Sequence, residues 1–161
     1  MAEHGFTTTF TVEQTAAEVY DAVTDVRSWW SEDVEGTTDR PGAEFDYHYQ
    51  DLHRTRIRVT EAVPGRKVSW LVLENHFSFV QDQSEWEGTT VTFDITERDG
   101  RTELRFTHHG LVPDFECFDV CANAWGFYVD SSLRGRITTG EGTPNSGDRN
   151  GVPAPAAAVT R

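Results

Sequence analysis

The sequence predicts an α+β fold in which one antiparallel sheet grips a single long C-terminal helix. Two observations carry that prediction. Between Ala43 and His109 the chain runs through short stretches that alternate apolar and polar residues, the period of strands with one buried face. Beyond them, Phe118, Cys121, Trp125, Tyr128 and Ser132 recur at helical spacing, with Ala122, Val129 and Leu133 beside the stripe. A sheet with one apolar face needs a cover, and this helix is the only large one the sequence offers.

The elements follow in order. In "FTTTFTV" Phe6, Phe10 and Val12 share one side, which predicts a half-buried first strand. Thr15 with Glu18 three residues later is a capping box, so a helix begins there, with Val19, Tyr20 and Val23 on its apolar face. "VRSWW" makes a second short helix or turn before Gly36. "AEFDYHYQ" turns Phe45, Tyr47 and Tyr49 one way and Glu44, Asp46 and His48 the other. "RTRIRVTEAV" sets Ile57 and Val59 against Arg56 and Arg58. "RKVSWLVLE" is apolar on both faces, as in a central or covered strand. Val91, Phe93 and Ile95 share a face in the next strand, and Leu104, Phe106 and His108 in the last. Asp99-Gly100 between those two is a hairpin turn. Asp114 is placed to cap the long helix, which is expected to run to about Thr139 and stop at Gly140. Residues 1–142 are read as one domain. The Pro-, Gly- and Ala-rich stretch 143–161 has too little apolar surface to offset its ordering entropy and is expected to be disordered.

Consecutive strands around Gln50 raise a question of register. If the turn takes the odd set Gln50 to Leu52, then Glu44 faces Arg58, Asp46 faces Arg56, His48 faces Arg54 and Phe45 meets Ile57. If it takes Asp51 and Leu52 alone, Arg54, Arg56 and Arg58 turn inward among Phe45, Tyr47 and Tyr49. Cross-strand charge pairs favour the first register, because buried guanidiniums without partners are costly. The second would make the interior an anion site.

The 161 residues carry 27 acids against 14 bases, a net charge of -13. A field of that sign repels phosphate backbones and anionic lipid, so neither nucleic acid nor a membrane is an expected partner. The N-terminus lacks the basic flank and apolar core of a secretory signal, and the longest apolar stretch, near "VSWLVL", is too short to span a bilayer. A cytoplasmic location is the expectation. Motifs for a serine nucleophile, a zinc protease or a phosphate loop are absent. The stretch "FTHHGLVPDFECFDVCANAW" places Cys117 and Cys121 four apart on one helix face and His108 at a strand end. That ligand set is incomplete for structural zinc, and buried packing is the better reading of the sulfurs. His108 near Glu116 has the makings of an acid–base pair, but a carboxylate in a first helical turn is also favoured by the helix dipole. No catalytic residue, metal or cofactor is assigned.

The order of elements, with "TAAEVYDAVTD" and Trp29-Trp30, "VTEAVPGRKVSW", "EWEGTTVTFDI", "FTHHGLVPDFEC" and "AWGFYVDSSL", resembles the START-like superfamily of helix-grip proteins, also called SRPBCC or Bet v 1-like. Within it the chain is similar to the homologues of the activator of the heat-shock protein 90 ATPase. The resemblance covers roughly residues 6 to 142 and implies a curved sheet with a cavity beneath the last helix. In many relatives that cavity holds an apolar small molecule; in a few it does chemistry. The eukaryotic co-chaperone of this kind has a separate N-terminal module that grips the chaperone, for which this chain has no room.

The aromatic content fits that expectation. Trp29, Trp30, Phe45, Tyr47, Trp70, His76, Phe93, His108, Cys121, Trp125 and Tyr128 are the candidate cavity residues, since large rings with polar tips suit a small-molecule pocket as well as they fill a core. The segment "ENHFSFVQDQSEWEG" interrupts the strand pattern and reads as a flap over the cavity mouth or as an irregular hairpin. The expected partners are a small apolar or aromatic ligand and, at most, a weak second copy of the chain. The alternatives are a lyase or cyclase in the same cavity and a chaperone-associated stress-response protein without a ligand.

Overall fold

The computed structural model describes residues 5–49, 53–77, 86–112 and 118–144; the Gln50–Leu52 turn, Asp114, Glu116, Cys117, Phe79 and nearly all of the C-terminal stretch lie outside them. Strand β1 (Gly5–Val12) leads into helix α1 (Ala16–Thr24) and a short 3-10 turn (Val26–Ser28). Six strands follow: β2 (Glu35–Gly36), β3 (Glu44–Tyr49), β4 (His53–Val63), β5 (Lys67–Phe77), β6 (Thr90–Arg98) and β7 (Arg101–His109). They form one antiparallel sheet in the order β1-β7-β6-β5-β4-β3-β2. The C-terminal helix is continuous in three pieces: α2 (Phe118–Trp125), a wider π-type stretch (Gly126–Leu133) and α3 (Arg134–Thr139). No described helix is long and apolar enough to cross a membrane.

Local chemistry explains the boundaries. Thr15 Oγ1 accepts from the Glu18 N–H at 3.1 Å, and the Thr15 N–H donates to the Glu18 carboxylate at 2.9 Å, so the capping box closes in both directions. Asp99 and Gly100 both take positive φ, 58° and 78°, as a two-residue hairpin turn requires. Gly140 ends the last helix in the left-handed conformation at φ 91°.

The β3–β4 register is the one that pairs charges: Glu44 with Arg58, Asp46 with Arg56, His48 with Arg54 and Phe45 with Ile57. Arg56 Nε lies 3.0 Å from Asp46 and Arg58 Nη2 2.9 Å from Glu44, on the outer face of the sheet. Between β4 and β5 the register slips twice, with Leu73 extra on β5 and Thr60 extra on β4. Each such bulge bends its strand and increases the local twist, which curls the sheet around the helix. β5 also continues through Glu74 to Phe77, where the sequence pattern predicts an interruption.

The buried helix residues Cys121, Trp125, Val129, Leu133 and Ile137 are spaced by four. Four residues overshoot an α-helical turn of 3.6, and the series would drift around the helix. The wider winding of Gly126–Leu133 undershoots and brings it back, so one face stays on the sheet throughout. Ser132, fully buried in this stretch, donates to the Trp29 carbonyl at 2.7 Å and accepts from the Thr143 N–H at 2.6 Å. It clamps the end of the chain and the tryptophan pair to the helix. Ser132→Ala leaves both backbone groups unpartnered and is expected to cost about 1–3 kcal/mol in urea unfolding. A change too small to measure would mean that the clamp is not formed in solution.

Candidate functional site

The space between the sheet and the C-terminal helix is built from rings. Phe45 and Tyr47 on β3, Trp70 on β5, Phe93 on β6 and His108 on β7 face inward by strand alternation and are all buried. Trp29 and Trp30 come down from the turn after α1, and Cys121, Trp125 and Tyr128 come from the helix; these are buried too. The indoles of Trp29 and Trp30 lie nearly parallel to that of Trp70, with centroids 6.4 and 5.7 Å from it. Trp30 also stacks on Tyr47 at 4.1 Å and leans on Trp125 at 5.0 Å. Phe45 and Phe93 set their edges against Trp70 at 5.2 and 5.0 Å. Among the described residues these rings touch and form a continuous aromatic column.

Trp86 caps the Trp125 face of this column. It stacks on Trp125 at 5.7 Å and 11° between planes. His53 and His108 each set a ring nearly perpendicular to it, both at 4.7 Å. Trp86 belongs to a turn (86–88), not to a strand or helix.

His108 is wholly committed to the protein. An indole nitrogen only donates, so the 3.0 Å contact from Trp125 Nε1 makes His108 Nδ1 the acceptor. The ring proton then sits on Nε2 and is donated to Thr89 Oγ1 at 2.8 Å, and that hydroxyl donates in turn to the Trp86 carbonyl at 2.5 Å. This relay ties helix, sheet and plug together. Burial, reinforced by His109 and His53, holds the His108 pKa down at about 3. His109 turns away from the interior, with Nε2 3.1 Å from Thr92 Oγ1.

Two interior polar residues are absent from the sequence-based set. His53 Nε2 lies 2.8 Å from Asn75 Oδ1, and both residues are buried. Burial depresses the His53 pKa to about 3, against the opposing hydrogen bond from Asn75. His53 is in phase with Thr55, Ile57 and Val59, so strand alternation was a signal for it. Asn75 had none. Counting by twos from Val68, Trp70 and Val72 turns Glu74 and His76 inward, but the extra Leu73 reverses the phase. Asn75 therefore faces in, while His76 lies across from Arg54 on the outer face, apart from the other ten candidates.

On that outer face a cleft of about 450 Å³ is bordered by Asp46, His48, Arg54, Arg56 and His76 among others. Among the described residues no three His, Cys, Asp or Glu side chains gather to hold a metal ion. Cys121 is buried on its own element, and its proposed companion Cys117 lies outside the described residues. The buried polar side chains of the described residues include histidines, hydroxyls and one amide but no carboxylate, lysine or arginine.

The depressed histidine pKa sets a pH dependence. The folded value of about 3 lies below the ordinary 6.5, so the unfolded chain binds the proton more readily. The stability contributed by neutral His108 is complete above pH 6.5 and is lost as pH falls from there towards 3. Each such group contributes a slope of about 1.4 kcal/mol per pH unit in that window. His108→Asn is expected to remove one such slope between pH 6 and 4 in urea unfolding, whatever its effect at pH 7. Parallel curves for the variant and the parent would show that the histidine titrates normally.

The fold is the helix-grip fold of START-like proteins, and solved structures resemble it. The solution structure of the Aha1 dimer from Colwellia psychrerythraea is 20% identical, with 88% of this chain and 100% of that one covered and a TM-score of 0.69. DynU16, a protein of the dynemicin biosynthetic locus, is 18% identical over 88% of this chain and 49% of its own, at a TM-score of 0.62. CalU16 from Micromonospora echinospora is 15% identical over 83% of this chain and 74% of its own, at 0.59. At these identities the likeness is one of fold. No curated protein matches the chain. Residues 13–135 match the family described as Activator of Hsp90 ATPase homolog 1-like protein, a span that runs from the entrance of α1 into the last helical piece; the chain belongs to that family.

Proposed function

We propose that this protein binds a hydrophobic or aromatic small molecule between its sheet and its C-terminal helix, admitted at the end closed by Trp86. The observation that supports this most is a pair of buried donors without acceptors, Trp70 Nε1 and Asn75 Nδ2, both on the inner face of β5. A buried polar group left unmatched costs about 1–3 kcal/mol, and a bound molecule with an acceptor relieves it. The stacked indoles offer flat apolar walls to the same molecule. The rings touch one another, so the ligand takes the place of one of them. Trp86 is the ring that can leave at least cost, because it hangs from a turn and its departure breaks no strand or helix. The biosynthetic locus of one structural neighbour accords with a ligand-handling role.

Native mass spectrometry of protein purified from its source is expected to find a retained small molecule above the 18.2 kDa chain. Nile red, an uncharged apolar dye, is expected to bind one per chain with quenching of tryptophan emission. Trp86→Ala should strengthen that binding several-fold by opening the plugged end. Trp125→Ala should instead cost about 3–5 kcal/mol of stability, because its ring is packed on helix and sheet alike. A bare chain from the source, together with no saturable dye binding by either the parent or Trp86→Ala, would overturn the reading.

A further inference from the structure

The geometry points to an uncharged, flat ligand whose carbonyl-type oxygen accepts a hydrogen bond from the Asn75 side-chain amide. This rests on the cavity reading above and specifies its ligand class.

Asn75 is 7% exposed. Its Oδ1 is taken by His53 at 2.8 Å, while its Nδ2, with two N–H groups, has no acceptor. An amide held by one end and orphaned at the other is an oriented donor. His53, which fixes it, rests its ring on Trp86 at 4.7 Å. Displacing the plug therefore opens the site beside the His53–Asn75 pair, and the molecule that replaces an indole there meets the amide.

The charge of the ligand follows from what surrounds it. No lysine or arginine is among the buried described residues. Arg56 and Arg58, which the other strand register would have turned inward, are paired with Asp46 and Glu44 on the outer face. His53 and His108 are held neutral, each with a pKa near 3. A carboxylate or phosphate in this space would be buried without a counter-charge, a cost that one amide does not offset. A ketone, quinone or similar neutral acceptor has no such penalty. The Trp125 face that Trp86 covers, with the two rings 11° from parallel, suits a planar skeleton in the place of that indole.

Four tricyclic compounds of one shape, the hydrocarbon fluorene and three with a polar group, 9-fluorenone, carbazole and 9-fluorenecarboxylate, test this when titrated against the full chain by tryptophan quenching. Fluorenone is expected to bind about tenfold more tightly than fluorene, the size of one well-made hydrogen bond in a dry site. The carboxylate should bind more weakly than fluorenone. Asn75→Leu should abolish the preference for the ketone, so that fluorenone and fluorene bind alike. Should that variant fail to fold, the ranking in the parent protein decides alone. Equal affinity for fluorene and fluorenone would remove the Asn75 assignment and leave the cavity reading standing. Tighter binding of carbazole, which carries a donor in place of the acceptor, would overturn the assigned direction of the hydrogen bond. Tighter binding of the carboxylate would overturn the neutral ligand. Binding of none of the four would overturn the cavity reading and this inference with it.

Discussion

One extra residue in β5 decides which chemistry faces the interior. Strand side chains alternate, so a single inserted residue exchanges the inner and outer sets of everything beyond it. With Leu73 absorbed into a bulge, Asn75 enters and Glu74 and His76 leave. Without it, a carboxylate and a second imidazole would lie beside His53, and the interior would hold an acid–base cluster. The same bulge, with its counterpart at Thr60, bends the long β4–β5 pair so that the sheet can wrap a helix. Curvature and interior chemistry thus come from one local feature.

The interior that results is polar in places but carries no charge among its described residues. That contrasts with a chain whose net charge is -13. The division has a physical cause. In a space this dry an unpaired ion is far more costly than a neutral donor, and histidine is tolerated there only by giving up its proton. The Trp125–His108–Thr89–Trp86 relay shows how that neutrality is used: each donor finds an acceptor, and the helix is fixed to the last strand through an imidazole that cannot titrate near neutrality. Both nitrogens of His108 are engaged within the relay.

Much of the fold was legible in the sequence because its signals were local or self-reinforcing. Thr15 and Glu18 need only each other, and Asp99-Gly100 needs only its own two residues. The β3–β4 register was legible for a different reason. Two registers were open, and opposite charges at Glu44, Asp46, Arg56 and Arg58 distinguished them, since a slip by one would have buried the arginines. Features that depend on more distant packing were not legible. Nothing in "LVLENH" marks Leu73 as the residue that bulges, so Asn75 was overlooked, and His76, read as part of a flap over the cavity mouth or an irregular hairpin, lies in β5. The buried series spaced by four between Cys121 and Ile137 looks like an ordinary amphipathic helix, and only its fit to the sheet requires the wider turn. Trp86 was not among the candidate cavity residues, because its place between two histidines depends on three separate elements meeting.

The family to which this chain belongs is described by an effect on a chaperone's ATPase. A surface that grips another protein needs exposed apolar area, and among the described residues the only large apolar side chain strongly exposed is Val63. Among the described residues the large rings are turned inward, where aliphatic side chains would have packed more simply and left no indole or amide to satisfy. Keeping Trp70 and Asn75 on the inner face leaves donors unmatched in a place that tolerates them poorly. A fold under selection for stability alone would replace them with leucine or valine. Their cost is understandable if the filled column is one state of a two-state interior, closed on its own rings when empty and opened at Trp86 when a flat, neutral acceptor takes that place.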